Sequence, residues 1–528
     1  MIKLFDTTLR DGAQAEGISF STHDKLQIAQ ALDRLGIHYI EGGWPGSNPK
    51  DNQFFKEART LNLKNARLVA FGSTRRKGVK ASADPNLQAI VDSKVPVACI
   101  FGKSWDMQVT HALRTTLEEN LAMIRESVAY LKSKRMEVIY DAEHFFDGFR
   151  ANRPYALKTL QAALEAGADC LTLCDTNGGS IPSQIMEAMK VVKRVLPKAV
   201  WGIHTHNDSG CAVGNALAAV EGGVTLVQGT FNGLGERCGN ADLSVIIPDL
   251  QLKMGHKVLS EAQLRSLTEI AHSISEIANQ VPNDRQPYVG NSAFAHKGGI
   301  HVSAVSRHAA TYEHIDPSIV GNQRRVLVGE LSGKSNVLLK AKELKIDFAK
   351  DTKATHQILE ALKKREAEGY HYEGAEASFE LLVEKELSRY KPSFELKGFR
   401  VVVERKQNGK DEIVTEATLK IVVNSKEEHT VGEGEGPVNA LDNALRKALE
   451  RFYPSLSETS LVDFKVRVIN AAAGTAARVR VLIESRDHKD AWTTTGVSTN
   501  LIQASWLALV DAIEYKLFKD SLKRSRNK

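Results

Sequence analysis

His204 and His206 are the residues in this chain whose type and spacing most directly suggest chemistry. Side chains two apart on an extended strand point to the same face, so His204-Thr205-His206-Asn207-Asp208 presents two imidazoles side by side, as a metal site needs. The apolar run Ala199-Val200-Trp201-Gly202-Ile203 before them reads as a buried strand, and Ser209-Gly210-Cys211-Ala212 after them opens a helix. A third ligand is required, and Asp11 near the amino terminus offers one. Two histidines and one carboxylate suit a divalent ion with positions left open for substrate, and Asn240 or a water could complete the set. Such mixed nitrogen and oxygen ligation fits Zn2+, Mn2+ or Co2+, with Mg2+ an option in a water-rich site. An ion with open positions chelates the ketone and carboxylate oxygens of a 2-oxo acid and polarises its carbonyl. Arg10, next to Asp11, is then placed to stabilise the developing oxyanion, and Glu41 to hold Arg10 by a charge-assisted hydrogen bond.

These residues need a scaffold that gathers strand ends. Over the first 250 residues, eight β-rich segments (2–6, 39–43, 68–72, 97–102, 137–143, 170–175, 201–206 and 225–231) alternate with helical stretches such as 22–35, 113–132, 154–166, 182–195 and 214–221. Repeated strand-helix units imply a parallel sheet, and eight of them a closed (β/α)8 TIM barrel, whose active sites lie at the carboxyl ends of the strands. An open doubly wound sheet is the competing architecture, but no Gly-x-Gly-x-x-Gly turn follows the first strand. The strand ends carry Arg10 and Asp11, Glu41, Glu143, Asp175-Thr176-Asn177, and His204 with His206; the loop after the eighth is Gly233-Leu234-Gly235-Glu236-Arg237-Cys238-Gly239-Asn240. Polar groups thus converge at one mouth.

A chain of 528 residues exceeds one hydrophobic core and implies two or three domains. The 42% hydrophobic and 25% charged composition is that of an ordinary globular protein. No apolar run reaches the length of a membrane span and the first residues lack a signal-peptide stretch, so a cytoplasmic protein without a membrane partner is expected. A net charge of +6 is compatible with anionic substrates and gives no indication of nucleic acid. The five scattered cysteines, an odd number without a C-x-x-C pair, are expected to be buried free thiols.

Three segments together, Asp6-Thr7-Thr8-Leu9-Arg10-Asp11-Gly12, His204-Thr205-His206-Asn207-Asp208 and 233–240, resemble the signatures of the 2-isopropylmalate synthase, homocitrate synthase and citramalate synthase family, within the DRE-TIM metallolyases. The resemblance covers roughly residues 1–260. It implies a Claisen-type condensation of acetyl-CoA with a 2-oxo acid, followed by thioester hydrolysis that releases CoA. It also implies roles: Asp11, His204, His206 and Asn240 on the divalent metal, Arg10 on the keto oxygen, Thr176 on the substrate carboxylate, and Glu143 in the catalytic site. Two departures from the family pattern stand out. Ala13 replaces a usual Glu, and strand two runs into Gly42-Gly43-Trp44-Pro45-Gly46-Ser47-Asn48-Pro49-Lys50-Asp51, similar to a branch of citramalate synthases that use pyruvate. The alternatives are 2-oxoisovalerate, as in isopropylmalate synthases, and the homocitrate synthase substrate.

The domains expected are a catalytic barrel over 1–260, a helical linker subdomain over 261–375 and an α+β regulatory and dimerisation domain over 376–520. In the linker, Ala295-His296-Lys297-Gly298-Gly299-Ile300-His301 is glycine-rich and suits a loop folding over a site. The resemblance makes His301 a catalytic histidine and Tyr312 a nearby tyrosine that helps bind or activate acetyl-CoA, both acting at the neighbouring subunit of a homodimer. The last 150 residues carry a repeat offset by 64, aligning Gly432 with Gly496, Ala440 with Ala504, Ala444 with Ala508 and Leu445 with Leu509. Two β-β-β-α units follow, with glycine-opened helix termini suited to an anionic group. By resemblance this domain binds an end-product amino acid, isoleucine for the pyruvate-using branch.

Overall fold

Eight parallel strands close into a barrel in chain order: β1 (Lys3–Asp6), β2 (Tyr39–Gly43), β3 (Arg67–Ser73), β4 (Val97–Lys103), β5 (Glu137–Glu143), β6 (Cys170–Asp175), β7 (Trp201–Thr205) and β8 (Leu226–Gly229). The ring is sealed where Asp6 of β1 registers with Gly229 of β8. The computed structural model describes residues 1–327, 352–372, 374–407, 411–469 and 477–526. The expected linker subdomain, 261–375, lies partly outside them, since it includes 328–351 and 373. The chain falls into two units, residues 1–294 with 315–324 and residues 295–314 with 325–528.

Alternation along the strands explains both the closure and the position of the site. Every second residue of a barrel strand points inward, and Phe5, Tyr39, Val69, Phe71, Val97, Cys99, Ile139, Cys170 and Leu226 form one apolar plug inside the ring. Two residues further along the same inward rows, the side chains turn polar while staying buried: Glu41, Asp141, Thr172 and Gln228. The barrel interior is therefore oily below and ionic at the carboxyl ends, so the strand pattern itself puts the chemistry at that mouth. Helices cover the outside, and their starts are capped as the sequence suggests; Ser21 and Asp24 form a reciprocal capping box at Thr22–Leu35.

Local details differ in three instructive places. The helix expected from residue 113 begins at Leu117, because the Thr116 side chain accepts the Glu119 amide and so caps it there, after a wider turn over Gln108–Ala112. Strand β7 stops at Thr205, and His206 instead pairs with Asn240 in an isolated bridge. Of the cysteines, Cys99, Cys170 and Cys174 are buried in barrel strands as expected, but Cys211 is half-buried and Cys238 exposed, since both lie in loops at the mouth.

The second unit holds the two repeats: β9 (Ala295–His296) and β10 (Arg325–Val326) form a short parallel pair, and then antiparallel sheets β11 (Glu395–Gln407), β12 (Asp411–Val423), β13 (Lys426–Gly434) and β14 (Ser460–Val468), β15 (Val479–Arg486), β16 (Ala491–Ser498) are each followed by a helix, Pro437–Leu449 and Leu501–Arg526. The two β-β-β-α units obey the 64-residue offset down to single bonds. Thr430 Oγ1 donates to the Ala444 carbonyl at 2.8 Å and Thr494 Oγ1 to that of Ala508 at 2.8 Å. Contrary to the expectation from the sequence, Gly432 and Gly496 do not open the helices; Gly436 is the N-cap of the first one. Gly432 and Gly496 sit in β13 and β16 where the helix crosses the sheet, and a Cβ there would come within 2.5 Å of Ala444 N and 2.1 Å of Ala504 O. Close helix-sheet packing, rather than an anion site, accounts for them.

Candidate active site

The segment after β1 is a knot of hydrogen bonds that aims two side chains at the mouth. The buried Asp6 carboxylate accepts the Thr8 amide at 3.0 Å and the Thr8 hydroxyl at 2.8 Å, and the amides of Arg10, Asp11 and Gly12 all converge on the Thr7 carbonyl. Arg10 is then clamped. Its Nε donates to Glu41 at 2.6 Å, an Nη contacts Asp11 at 3.0 Å, and the guanidinium lies 3.8 Å over the Phe71 ring. Burial pushes the Glu41 carboxyl up to about 7 even though Arg10 pulls it down. Burial also opposes ionisation of Asp11, yet the Arg10 charge and the His204 hydrogen bond hold it far below the usual carboxylate range. The ion-pair expectation for Arg10 and Glu41 is thus met in geometry.

Asp11, His204 and His206 come together as one buried cluster. His204 Nε2 lies 3.3 Å from His206 Nε2 and 3.3 Å from Asp11 Oδ2, with His206 Nε2 3.9 Å from the same oxygen. Atoms held about 2.0–2.1 Å from one tetrahedral ion stand about 3.4 Å apart, so this spacing fits a shared cation. Two nitrogens facing each other at that distance have only one proton between them in any favourable arrangement, and a metal removes the conflict. Asn240 adds a second sign. Its Oδ1 is buried without a hydrogen-bond partner, beside His206 through the backbone bridge. His206 is pushed down to about 4 by burial and by the neighbouring His204, so it stands ready as a neutral ligand.

The loop 233–240 is held over this cluster by its own covalent economy. A Cβ on Gly239, whose φ is +86°, would meet the Gly233 carbonyl at 1.9 Å, so only glycine permits the turn that returns Asn240 to β7. Arg237 of the same loop grips Asp208 with two nitrogens, at 2.8 and 3.0 Å, and the Thr176 carbonyl at 2.7 Å. Thr176 Oγ1 accepts the His144 amide at 2.8 Å, which leaves the hydroxyl proton free to donate. His144 adopts the left-handed conformation, φ 56°, to make that bond.

Arg10, Asp11, Glu143, Thr176, His204 and His206 line a cavity of about 210 Å³. Glu143 pairs with Lys103 at 2.5 Å. Of the residues expected from the sequence, Glu41 stands behind Arg10 and Asn240 beside His206, while His301 and Tyr312 belong to the second unit. There the two rings stack, 4.1 Å between centroids, and both are exposed.

Several residues of the cavity and its support escaped sequence reasoning, which had Trp44 only as part of the loop after β2. Trp44, Phe71 and Phe101 form one wall, with Trp44 edge-on to both phenylalanines at 5.6 and 5.7 Å. Trp44 is fixed by its indole N–H on Asn86 at 2.6 Å and its amide on Asp51 at 2.8 Å. Beneath the metal cluster, Gln228 links His204 to Asp141. A usable signal existed: Asp141 and Gln228 are polar residues on inward positions, each two residues after an apolar inward one, Ile139 and Leu226.

The comparisons with known proteins match this architecture along the whole chain. The HMGL-like model covers residues 1–274, the Homocitrate synthase post-HMGL domain-like model 288–369, and the LeuA allosteric (dimerisation) domain model 373–517. The (R)-citramalate synthase of Geobacter sulfurreducens is 55% identical over 98% of this chain and 98% of its own length, and that of Aquifex aeolicus 54% over the same shares. The chain belongs to the (R)-citramalate synthase family. A 2-isopropylmalate synthase of Methanocaldococcus jannaschii, 30% identical over 98% of this chain and 95% of its own length, marks how far the alternative branch stands from the citramalate synthases. Membership brings with it a divalent metal ion, which the donor set of Asp11, His204, His206 and Asn240 fits, and acetyl-CoA as a substrate. The LeuA-type domain matches the two β-β-β-α units and supports a homodimer. Among the described residues, no helix is long and apolar enough to cross a membrane.

Proposed function

We propose that this chain condenses acetyl-CoA with pyruvate and hydrolyses the resulting thioester, giving (R)-citramalate and CoA. The observation that carries the substrate choice is the identity of 55% and 54% with two (R)-citramalate synthases over 98% of the chain, against 30% with a 2-isopropylmalate synthase; the aromatic residues Trp44, Phe71 and Phe101 line the cavity beside Arg10. That wall is apolar, which suits an alkyl substituent on the 2-oxo acid and offers no partner to the second carboxylate of 2-oxoglutarate. A divalent ion on Asp11, His204, His206 and Asn240 supplies Lewis-acid polarisation of the keto carbonyl. Arg10, preset by Glu41, donates to the oxygen that gains negative charge, and the Thr176 hydroxyl donates to the substrate carboxylate. Glu143, paired with Lys103, acts inside the cavity. His301, stacked on Tyr312, serves deprotonation of the acetyl methyl or activation of water.

Thiol release with pyruvate, 2-oxobutyrate, 2-oxoisovalerate and 2-oxoglutarate tests this reading. Pyruvate is expected to give the highest kcat/KM, and a chelator to abolish turnover. Greatest activity with 2-oxoisovalerate would refute the substrate, and chelator-insensitive turnover the metal. The role in isoleucine biosynthesis and a cytoplasmic site of action belong to the same proposal. Isoleucine is expected to inhibit through the repeat domain; inhibition by leucine alone, or by neither, removes that part.

A further inference from the structure

We infer that Gln228, held in place by Asp141, is a positioning residue that sets the tautomer of His204 and so leaves its Nε2 bare for the ion. The inference rests on the reading of Asp11, His204 and His206 as metal ligands.

A neutral imidazole carries its proton on one ring nitrogen, and only the other can ligate. His204 Nδ1 lies 3.0 Å from Gln228 Oε1, both side chains buried. Which amide atom faces the histidine is decided at the other side of the amide. Gln228 Nε2 sits 2.9 Å from Asp141 Oδ1 and 3.3 Å from Thr172 Oγ1. Turning the amide over would press its oxygen against a carboxylate oxygen and lose both donations, so Oε1 must face His204. An amide oxygen can only accept. In the metal-free protein Nε2 faces the Asp11 carboxylate at 3.3 Å and shares a proton with it; once an ion takes the place of that proton, the one that remains on His204 is therefore on Nδ1.

The barrel makes this arrangement possible. Asp141 comes from β5, Thr172 from β6 and Gln228 from β8, so inward side chains of three strands meet beneath a ligand of β7. Each partner is buried and would be costly to leave unpaired, so the three side chains hold one another in place. His206 provides the contrast. Its Nδ1 has no hydrogen-bond partner, so no protein group imposes a tautomer on it. The two ligands thus differ: His204 is preset, and His206 adjusts.

Two measurements on the full-length protein test the inference. In the first, Zn2+ affinity is read by competition with a chromophoric chelator at pH 8 for the wild type, Gln228→Leu and His204→Ala. Leucine keeps the volume and removes the acceptor, and loss of such an outer partner weakens metal binding about 10–100-fold. That loss is expected, with the melting temperature of the metal-free Gln228→Leu protein within a few degrees of wild type. Zn2+ affinity within twofold of wild type overturns the role of Gln228. Unchanged affinity in His204→Ala instead overturns the metal reading beneath it. The second measurement needs no Gln228 variant. Nitrogen-15 histidine spectra of the Zn2+-loaded protein at pH 9, with the His204 signal found by its loss in His204→Ala, are expected to show a proton on Nδ1; a proton on Nε2 overturns the inference.

Discussion

Replacing Arg10 with lysine isolates geometry from charge. The guanidinium places Nε on Glu41 at 2.6 Å and one Nη on Asp11 at 3.0 Å while lying over Phe71 at 3.8 Å, which leaves the other Nη as the candidate donor to a substrate in the cavity that Arg10 lines. A lysine ammonium is a point charge on a flexible stem and reproduces one of these contacts at a time. If it stays on the two buried carboxylates, the developing oxyanion loses its donor, which costs about 2.7–4 kcal/mol or ~10²–10³ in kcat. If it turns into the cavity, Glu41 and Asp11 face each other without a counter-charge, and Glu41, already pushed up to about 7 by burial against the pull of Arg10, rises further. Either way kcat with saturating pyruvate and acetyl-CoA is expected to fall about 10²–10³-fold, while the KM for acetyl-CoA changes much less. The assay is thiol release, run beside metal content and melting temperature. A kcat within about threefold of wild type, at unchanged metal content, would refute the donor role of Arg10.

Metal affinity should depend on pH through His204 rather than His206. Burial pulls His204 down, but the Asp11 hydrogen bond and charge outweigh it and raise it above its usual value, whereas His206 is lowered to about 4. A raised histidine holds its proton against the ion, so affinity is expected to fall about tenfold per pH unit from near neutrality downward, and more steeply only near pH 4; a flat profile between pH 5 and 8 contradicts this. Trp44→Ala should open the wall and erase much of the preference for pyruvate over 2-oxobutyrate. One methylene in a fitted pocket is worth about 10–200-fold, and a preference unchanged in kcat/KM would show that Trp44 does not set the size limit. Gly496→Ala places a methyl 2.1 Å from the Ala504 carbonyl and Gly432→Ala one 2.5 Å from Ala444 N. Each is expected to destabilise the repeat domain by about 1–3 kcal/mol in urea unfolding, with catalysis unaffected by a direct route.

Much of the catalytic end was legible because its signals are local. Inward and outward residues alternate along extended backbone, so His204 at the end of β7 and His206 just beyond it share a face, and Arg10 with Asp11 follows β1 within one tight turn. Eight strand-helix periods state the barrel, and a barrel states where its mouth is. The 64-residue offset revealed two like units in the second half, since a repeat needs only self-comparison. Gly432 and Gly496 were misjudged for a physical reason. A glycine shortly before a helix resembles a helix opener, and only the packed sheet shows that it is a crossing point.

The sequence alone determined which chemistry is carried, two imidazoles, a carboxylate and an arginine at strand ends, because residue type and short spacing depend on local backbone geometry. Tertiary structure alone decided how those groups are tuned. Gln228 and Asp141 are 87 positions apart and meet only when β5 and β8 face each other across a closed ring. Trp44 and Asn86, 42 positions apart, meet only once the loop after β2 folds against the next strand-helix unit. Chain closure sets such distances, and no spacing in one dimension encodes which inward rows will face one another.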